Sequence, residues 1–559
     1  MQYVRYGRIV LSIALGASSI AWAQGTGRRG AAAAAQQGAA QPAAQPAAAP
    51  AATPAATGRG GGRAGAGTAT TGSEFYEFDP TAPQVRMSGN PDAPPAETHQ
   101  KITVNGQPLA YTTRAGFLPL ANATTGVPEA HIFYTSYSKD GDTDATARPL
   151  MFFFGGAPGV SAAWQEFGGF GPKRMKPEGG TTENPDTLLT HADLVFVNPV
   201  GTGFSYPAQP SRGSIFWNTS GDVASLGGFV RTYLGRTNRL TSPLFLAGDD
   251  PATGRVAGLA QYLTDHLIPV RGVILLSVAA TPDSIAGDTQ FLTLFPSLVI
   301  SSWYHKKLSP ELNAMSAEQI LGQARQFASR EYLHALYKGD RMTAEERTKA
   351  IADFSRLTGL SKSFIQNNDL RVTLERYNSE LMHDQHRTLS RSDARVDGFT
   401  PSAGGGRGGG GGGGRGFGGG APPVDFNLTA ISGPFAASYE TYLRHELNFT
   451  GAKEAIFYLS SGGIGTFTAT GNEDSSLAGA FSRNPKLHLF VGINYFDLGL
   501  PFYAAEYSLA HLDVSPEVRA HNITVSHQEA GAMAYVDSKS LTKLEHDLSG
   551  FLAQATATK

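Results

Sequence analysis

Five short segments of the chain are almost continuously apolar, and four of them run directly into a turn that contains glycine. They are residues 149–154, 193–197, 244–247, 273–277 and 487–491. Such strands are buried on both faces of a sheet, which happens when helices cover a mostly parallel sheet. Apolar residues at helical spacing from Val256 to Leu267 predict a helix after the third segment. The sequence therefore predicts an α/β fold with helices on both faces of the sheet.

In sheets of this kind, functional groups lie at the carboxyl ends of the strands. Those ends are the glycine-containing turns after Phe154, Val197, Ala247 and Val491. Charge and composition restrict what the turns can do. The 45 basic and 47 acidic residues nearly cancel, which argues against a surface built for nucleic acid. The chain has no cysteine, so disulfides, thiolate nucleophiles and cysteine-ligated zinc are excluded.

The first 23 residues have the pattern of a secretory signal peptide. Arg5 and Arg8 precede an apolar run, and Ala-Trp-Ala at 21–23 is typical of a cleavage site. The apolar run is too short to span a bilayer, so we predict export, to the periplasm or the medium, and no transmembrane segment.

The remaining residues divide by composition and pattern. Residues 24–73 consist mainly of Ala, Gln, Pro and Gly and are predicted to be a disordered linker. Residues 74–280 form the first part of the core, which begins with a hairpin at Asn105-Gly106. Residues 281–426 are predicted as a helical cap insertion, which includes a helix from Asp369 to Leu381 and a Gly-rich loop at 404–420. Residues 427–559 complete the core.

The turns at the strand ends share a pattern when they are taken together. Residues 154–159 read Phe-Gly-Gly-Ala-Pro-Gly, and residues 198–206 read Asn-Pro-Val-Gly-Thr-Gly-Phe-Ser-Tyr, which we interpret as a tight turn. Later come Ala-Gly-Asp-Asp-Pro at 247–251, Tyr-Phe-Asp at 495–497 and Glu-Ala-Gly-Ala-Met at 529–533. In this order they resemble motifs of the serine carboxypeptidases, in particular exported bacterial members. The resemblance implies an α/β-hydrolase fold with a helical cap.

The same resemblance assigns positions to the catalytic machinery. Asp250 stands where the family has its nucleophilic serine, Ala532 where it has histidine, and Asp497 where it has the triad aspartate. The oxyanion donors would be the backbone N–H groups of Ala157 and Pro251, and proline has none. Loss of the serine or the histidine from such a triad costs about six orders of magnitude in rate. The resemblance thus implies a serine-type carboxypeptidase fold without peptidase activity.

The positions that would recognise a substrate differ less from the family's motifs than the catalytic positions do. Gly155, followed by Gly156, stands where the family has an asparagine that holds the substrate's terminal carboxylate. Asp249 replaces a glutamate with a similar role and keeps its charge. The resemblance therefore implies peptides with a free C-terminus as candidate ligands.

Two other interpretations use the same acidic residues. Asp250 could be a carboxylate nucleophile of an active hydrolase, as in haloalkane dehalogenases and epoxide hydrolases, but that chemistry needs a histidine base. His527 precedes Ala532 by five residues, and an odd offset on an extended segment points to the opposite face. Asp249, Asp250 and Asp497 could also bind a hard cation, but their spacing matches no known cation loop. We predict no metal and no cofactor.

If Asp250 and Asp497 face each other without a cation, the pKa of one of them is expected to rise. A purely structural role in the cell envelope, with residues 24–73 as the tether, is the remaining alternative.

Overall fold

The computed structural model describes residues 91–559, except residues 143, 157–158, 177, 251–253, 279–285, 400–424, 453–456, 458, 460–466, 469–472 and 558–559. The side chains of residues 210, 250, 278 and 473–475 also lie outside the description. The predicted signal peptide, the linker and the Gly-rich loop at 404–420 fall outside it. No helix of the described part is long and apolar enough to cross a membrane.

The strands form one large sheet and two short hairpins. The strands are β1 (Ala96–Val104), β2 (Gln107–Ala121), β3 (Pro128–Lys139), β4 (Leu150–Phe154), β5 (Lys173–Met175), β6 (Thr181–Glu183), β7 (Asp193–Val197), β8 (Tyr206–Pro207), β9 (Leu244–Asp250), β10 (Val270–Val278), β11 (Arg387–Leu389), β12 (Asp397–Phe399), β13 (His488–Asn494) and β14 (Ile523–Gln528). The large sheet has the order β1-β2-β3-β7-β4-β9-β10-β13-β14, with β8 paired to β3.

The sheet is antiparallel at one side and parallel over the rest. Strands β1, β2, β3 and β7 pair antiparallel, whereas β7, β4, β9, β10, β13 and β14 pair parallel. All five predicted apolar strands belong to the parallel part, which confirms the α/β prediction. The predicted hairpin is confirmed as well: Asn105 and Gly106 join β1 to β2 with φ of 50° and 76°. Two positive φ values match the turn that an Asn-Gly hairpin uses.

Helices cover both faces of the sheet. They are α1 (Ala163–Gln165), α2 (Thr219–Thr237), α3 (Arg255–Asp265), α4 (Thr289–Tyr304), α5 (Pro310–Asn313), α6 (Ala317–Phe327), α7 (Leu333–Lys338), α8 (Ala344–Thr358), α9 (Lys362–Asn367), α10 (Leu374–Leu381), α11 (Phe426–His445), α12 (Glu473–Arg483), α13 (Phe502–His511), α14 (Pro516–His521) and α15 (Ser538–Ala557). Phe152 and Phe154 join one core with α2, α3 and α4, while Phe153 joins a second core with α11 and α15.

Alternating side chains of one apolar strand thus enter two different cores, which is why the strand needs no polar residue.

Two helix boundaries differ from the sequence prediction. Helix α3 ends at Asp265, and Leu267 lies beyond it with φ of 61° and 91% of its surface exposed. Leu267 therefore belongs to a turn, not to the apolar face of the helix. Helix α10 begins at Leu374, five residues after the predicted start, because Asp369 and Leu370 have left-handed φ values of 48° and 61°. Left-handed residues cannot continue a right-handed helix.

Candidate functional site

The turn after β4 packs tightly against the end of β9. A Cβ atom at Gly155 would lie 1.8 Å from the carbonyl oxygen of Val160, and one at Gly156 would lie 2.7 Å from Cβ of Asp249. Any larger side chain at either position would clash, because real Cβ atoms do not approach other heavy atoms this closely. Glycine at 155 and 156 is therefore explained by packing alone, in addition to any role toward a ligand.

A buried arginine lies under this turn. Arg255, the first residue of α3, donates from Nη1 to the carbonyl oxygens of Gly155 and Gly156, the second at 3.1 Å. Its Nε donates to Oδ2 of Asp222 at 2.5 Å, and both side chains are almost fully buried. The arginine thus joins the turn after β4 to helices α2 and α3, and it places two backbone carbonyls toward the interior.

Asp249 is bound by side chains of the interior. Its Oδ2 accepts hydrogen bonds from the Tyr535 hydroxyl at 2.7 Å and from Nε2 of Gln165 at 3.2 Å. Burial, with a further contribution from Asp249, holds the pKa of Tyr535 well above its usual value. The Tyr535 hydroxyl thus acts as a hydrogen-bond donor to Asp249.

The position assigned to the nucleophile lies at the end of a strand and is followed by a helix, which is the order that the fold uses there. Backbone pairing places Asp249 opposite Ser277 and Asp250 opposite Val278, so β9 and β10 end side by side. Helix α3 follows after Gly254, which has φ of 60°. The side chain of Asp250 and the whole of Ala157 and Pro251 lie outside the described residues. The predictions that depend on them, including a metal site with Asp250, stay predictions.

Asp497 follows β13 and is almost completely buried, with 2% of its surface exposed. Its Oδ1 accepts from the backbone N–H groups of Gly499 at 2.8 Å and Leu500 at 3.0 Å. Its Oδ2 accepts from the Ser277 hydroxyl at 3.4 Å. Burial is the largest influence and raises the pKa of Asp497 to about 7, although the hydrogen bonds act in the opposite direction. The rise comes from burial, and the predicted contact between Asp497 and Asp250 stays a prediction, because the Asp250 side chain lies outside the described residues.

The position assigned to the catalytic histidine is in contact with a segment from the predicted cap insertion. We call residues 390–396 the strap. The backbone N–H of Ala532 donates to the carbonyl oxygen of Ser392 at 2.6 Å, and the Ala532 carbonyl accepts from Nδ2 of Asn494 at 3.3 Å. A Cβ atom at Gly531 would lie 2.4 Å from the same Ser392 oxygen. The strap therefore packs directly on the backbone of residues 531–532.

The strap also contacts the segment that carries Asp497. The backbone N–H of Ala394 donates to the Phe496 carbonyl at 2.8 Å. The carbonyl of Arg391 accepts from the N–H groups of Leu498 at 3.0 Å and Gly499 at 3.2 Å. These bonds join backbone atoms, so the strap is positioned by its backbone and its side chains stay available for other contacts.

Asp425, the N-cap residue of α11, holds the strap from the other side. Its carboxylate accepts from the Ser392 N–H and hydroxyl at 2.8 Å each and from the Ser390 hydroxyl at 2.7 Å. It also accepts from the Leu428 N–H at 3.0 Å, which caps the helix. Burial acts to raise the pKa of Asp425, but these hydrogen bonds outweigh it and lower that pKa.

His305 completes the support of the strap. Its Nε2 lies 2.7 Å from the Ala394 carbonyl, and its side chain is 8% exposed. His305 is therefore a structural group that is satisfied by this contact.

His527 belongs to a different cluster. Its Nε2 lies 2.9 Å from Oε1 of Glu506 on α13, and its ring stacks on Tyr495 at 5.4 Å. Arg325 of α6 donates to both oxygens of the same carboxylate at 2.5 and 3.1 Å. This group lines a cavity of about 690 Å³. The described contacts of His527 are with Glu506 and Tyr495. Within the part of the chain that the structure describes, none joins His527 to Asp497 or Ala532.

The remaining sequence interpretations concern packing. Trp164, Phe167 and Phe170, which follow the turn after β4, are buried core residues. The turn at 198–206 is tight: Gly201 and Gly203 have φ of 92° and 54°, and the Ser205 hydroxyl donates to the Asn198 carbonyl at 2.6 Å.

Ser277 and the strap were absent from the sequence prediction. Ser277 lies at the end of a predicted parallel strand, so the rule that strand ends carry functional groups would have indicated it. The strap has no such signal, because its partners at the site, Phe496, Leu498, Gly499 and Ala532, are more than 100 residues away along the chain.

The comparisons with known proteins agree with this architecture. The serine carboxypeptidase family model matches residues 104–386, about half of the 559 residues. The chain is also similar to two Arabidopsis thaliana proteins. It is 30% identical over 155 residues to serine carboxypeptidase-like 36 and 27% identical over 157 residues to serine carboxypeptidase-like 45. Each alignment covers 26% of this chain, and they cover 30% and 32% of those relatives, so the match spans about a third of their length.

A solved structure shows the same fold over a longer range. It is Kex1(delta)p, a prohormone-processing carboxypeptidase from Saccharomyces cerevisiae, with a TM-score of 0.50 and 13% identity. The superposition covers 78% of this chain and 91% of that chain. The predicted α/β-hydrolase fold, with a mostly parallel sheet between helices, is therefore confirmed. The match of the family model to half of the sequence shows that this chain belongs to the serine carboxypeptidase family.

Proposed function

We propose that this protein is an exported serine-carboxypeptidase-like protein that has lost peptidase activity and binds a ligand at the strand ends. The observation that carries the proposal is the environment of Ala532. The position that the family gives to histidine has a methyl side chain, and its backbone is hydrogen-bonded to the strap at Ser392. A serine hydrolase needs a base that removes the proton from its nucleophile, and alanine has none.

The surroundings of Asp497 support the same proposal. In a triad, the aspartate accepts a hydrogen bond from the histidine and stabilises its charged form. Here the described donors to Asp497 are the Ser277 hydroxyl and two backbone N–H groups. The bonds to Gly499 and Leu500 fix the carboxylate within its own turn. Asp497 then serves the fold, and the residue is retained although its catalytic partner has been replaced.

Retention of a binding site is supported by the contacts around the turn after β4 and the end of β9. Arg255 holds the carbonyls of Gly155 and Gly156, and Tyr535 and Gln165 hold Asp249. These contacts hold the turn after β4 and the Asp249 carboxylate in place at the strand ends, at the positions that the resemblance assigns to substrate recognition. Peptides with a free C-terminus are the candidate ligands. Export is supported by the signal-like pattern of residues 1–23.

Two assays of the purified protein test the loss of activity. We expect no release of C-terminal residues from N-blocked dipeptides between pH 4 and pH 8, and no labelling by a fluorophosphonate probe. Turnover that disappears in an Asp497→Ala variant of unchanged fold would show an active enzyme. The comparison with Asp497→Ala excludes a contaminating peptidase, because a contaminant would survive the substitution.

A thermal-shift series tests the retained site. We expect stabilisation by peptides with free C-termini, because any ligand that binds only the folded state raises the melting temperature. No shift with any peptide would favour the structural role in the envelope over a binding role.

A further inference from the structure

The strap carries two arginines that are used in different ways. Arg395 donates three hydrogen bonds to the Asp393 carboxylate at 2.7–3.2 Å and one to the Glu529 carbonyl at 2.7 Å. Its guanidinium also lies 5.5 Å from the centre of the Phe496 ring. Every part of this side chain is engaged, so Arg395 is a structural residue.

Arg391 contrasts with it. Its side chain is exposed, and within the described ranges its guanidinium makes no hydrogen bond and no ion pair. Its backbone is nevertheless held firmly, because the Arg391 carbonyl accepts from Leu498 and Gly499. An arginine on an ordinary surface loop lacks this backbone restraint. Among the described residues, the Arg391 guanidinium thus has no hydrogen-bond or ion-pair partner, and it extends from a segment whose backbone is hydrogen-bonded.

The point from which Arg391 projects is next to Asp497. A Cβ atom at Gly499 would lie 3.1 Å from Oδ1 of Asp497 and 3.5 Å from Nε of Arg391. Glycine at 499 therefore leaves room for the arginine to pack beside the buried carboxyl. The two groups do not form an ion pair, but the charge of Arg391 acts to lower the pKa of Asp497. Because burial raises that pKa to about 7, Asp497 carries only part of a negative charge near neutral pH.

We propose that Arg391 binds a carboxylate of the ligand and is a specificity-determining residue that the strap brings to the site. The inference rests on the proposed function, since it names the chemistry by which the retained site recognises its ligand. A guanidinium binds a carboxylate through two parallel N–H···O bonds, and such charge-assisted pairs are stronger than neutral hydrogen bonds. The strap that covers the backbone of Ala532 then has a second effect. It adds an anion-binding group beside the former triad.

The experiment compares one peptide in two forms. N-acetyl-Phe-Leu is titrated by calorimetry as the free acid and as the C-terminal amide, against the wild type, Arg391→Ala and Arg391→Lys. Arg231→Ala is the matched control, because Arg231 is an exposed arginine on α2, far along the sheet from the strap. We expect the wild type to prefer the acid by about tenfold or more, since a tenfold change in Kd corresponds to the strength of one good charge-assisted contact.

Arg391→Ala should lose this preference, Arg391→Lys should keep part of it, and Arg231→Ala should behave as the wild type. An acid preference that persists in Arg391→Ala would overturn the inference, as would equal binding of acid and amide by the wild type. A thermal-shift measurement with sodium benzoate distinguishes the failure of peptide binding from the failure of the proposed role of Arg391. If the wild type binds neither peptide but benzoate stabilises it in an Arg391-dependent way, peptide binding fails and the role of Arg391 stands. If no carboxylate probe binds, the role of Arg391 fails too.

Discussion

The carbonyl oxygen of Ser392 accepts a hydrogen bond from the backbone N–H of Ala532 at 2.6 Å. This contact joins a segment that precedes the Gly-rich loop to the position that the sequence resemblance assigns to the catalytic histidine. The strap thus packs against the backbone of that assigned position. Its anchors on the far side are Asp425 and His305.

Restoring the triad residues alone should not restore efficient hydrolysis. The double variant Asp250→Ser, Ala532→His supplies a nucleophile and a base, but Pro251 still provides no N–H to the oxyanion. Loss of one oxyanion donor costs about two to three orders of magnitude in rate. Hydrolysis of an N-blocked dipeptide measures the effect. The triple variant that adds Pro251→Ala should be faster than the double variant, and full activity of the double variant would refute the oxyanion argument.

The protein should lose stability as the pH rises through neutrality. Burial raises the pKa of Glu166 from 4.5 to about 7 against the hydrogen bonds from Tyr137 and Tyr439, and it raises the pKa of Asp497 from 3.8 to about 7. Between about pH 4 and pH 7 the folded state therefore holds more protons than the unfolded state, so stability falls as pH rises. Each group contributes on the order of 3 kcal/mol, fully present at low pH and lost above about pH 7.

Melting temperatures at pH 5, 6, 7 and 8 measure this dependence. Glu166→Gln and Asp497→Asn should each flatten the curve, because neither replacement titrates. Glu178→Gln, at an exposed position, is the control and should leave the slope unchanged. A slope that is the same in all four proteins would show that burial does not shift these two carboxyl groups.

The strap should loosen when its anchor is removed. Asp425→Ala deletes the acceptor for Ser390, Ser392 and the Leu428 N–H, and so removes both the strap contacts and the cap of α11. We expect a loss of about 2–3 kcal/mol, since a helix cap and charged hydrogen bonds are removed together. Hydrogen exchange should rise in residues 390–396 and at Ala532. Asp353→Ala, which removes one exposed pair with Lys349, is the control and should change neither. Unchanged exchange in the strap would contradict the anchoring role of Asp425.

The buried arginine under the glycine turn should be essential for stability. Arg255→Met leaves Asp222 buried without its guanidinium partner, and it leaves the Gly155 and Gly156 carbonyls without their donor. Removing one member of a buried ion pair costs about 3–5 kcal/mol, because the other charge stays buried. Urea unfolding measures the loss, and Arg231→Ala on α2 should stay within about 0.5 kcal/mol of the wild type. Adding Asp222→Asn to Arg255→Met should recover part of the stability, and no recovery would argue against the ion pair as the cause.

Some features follow from residue identity alone. The apolar strands and the turns at their ends predicted the sheet, its parallel core and the family, because a strand buried on both faces must be apolar along its whole length. The absence of serine at 250 and of histidine at 532 is likewise a matter of residue identity. The start of α10 does not follow from residue identity. Asp369 and Leu370 adopt left-handed φ values, so the helix begins after them, and neither residue type requires that conformation.

The tertiary structure decided what surrounds these residues. Ser392 approaches Ala532, and Ser277 approaches Asp497, across 140 and 220 positions of the chain. Hydrogen bonds between such distant segments have no local sequence signature, because they depend on how the sheet and the predicted cap insertion pack together. The raised pKa values of Asp497 and Glu166 have the same origin, since burial is a property of the packed fold and not of the residue. The residue types at the positions assigned to the triad can be read from the sequence, whereas the strap that packs beside Ala532 could not be predicted from it.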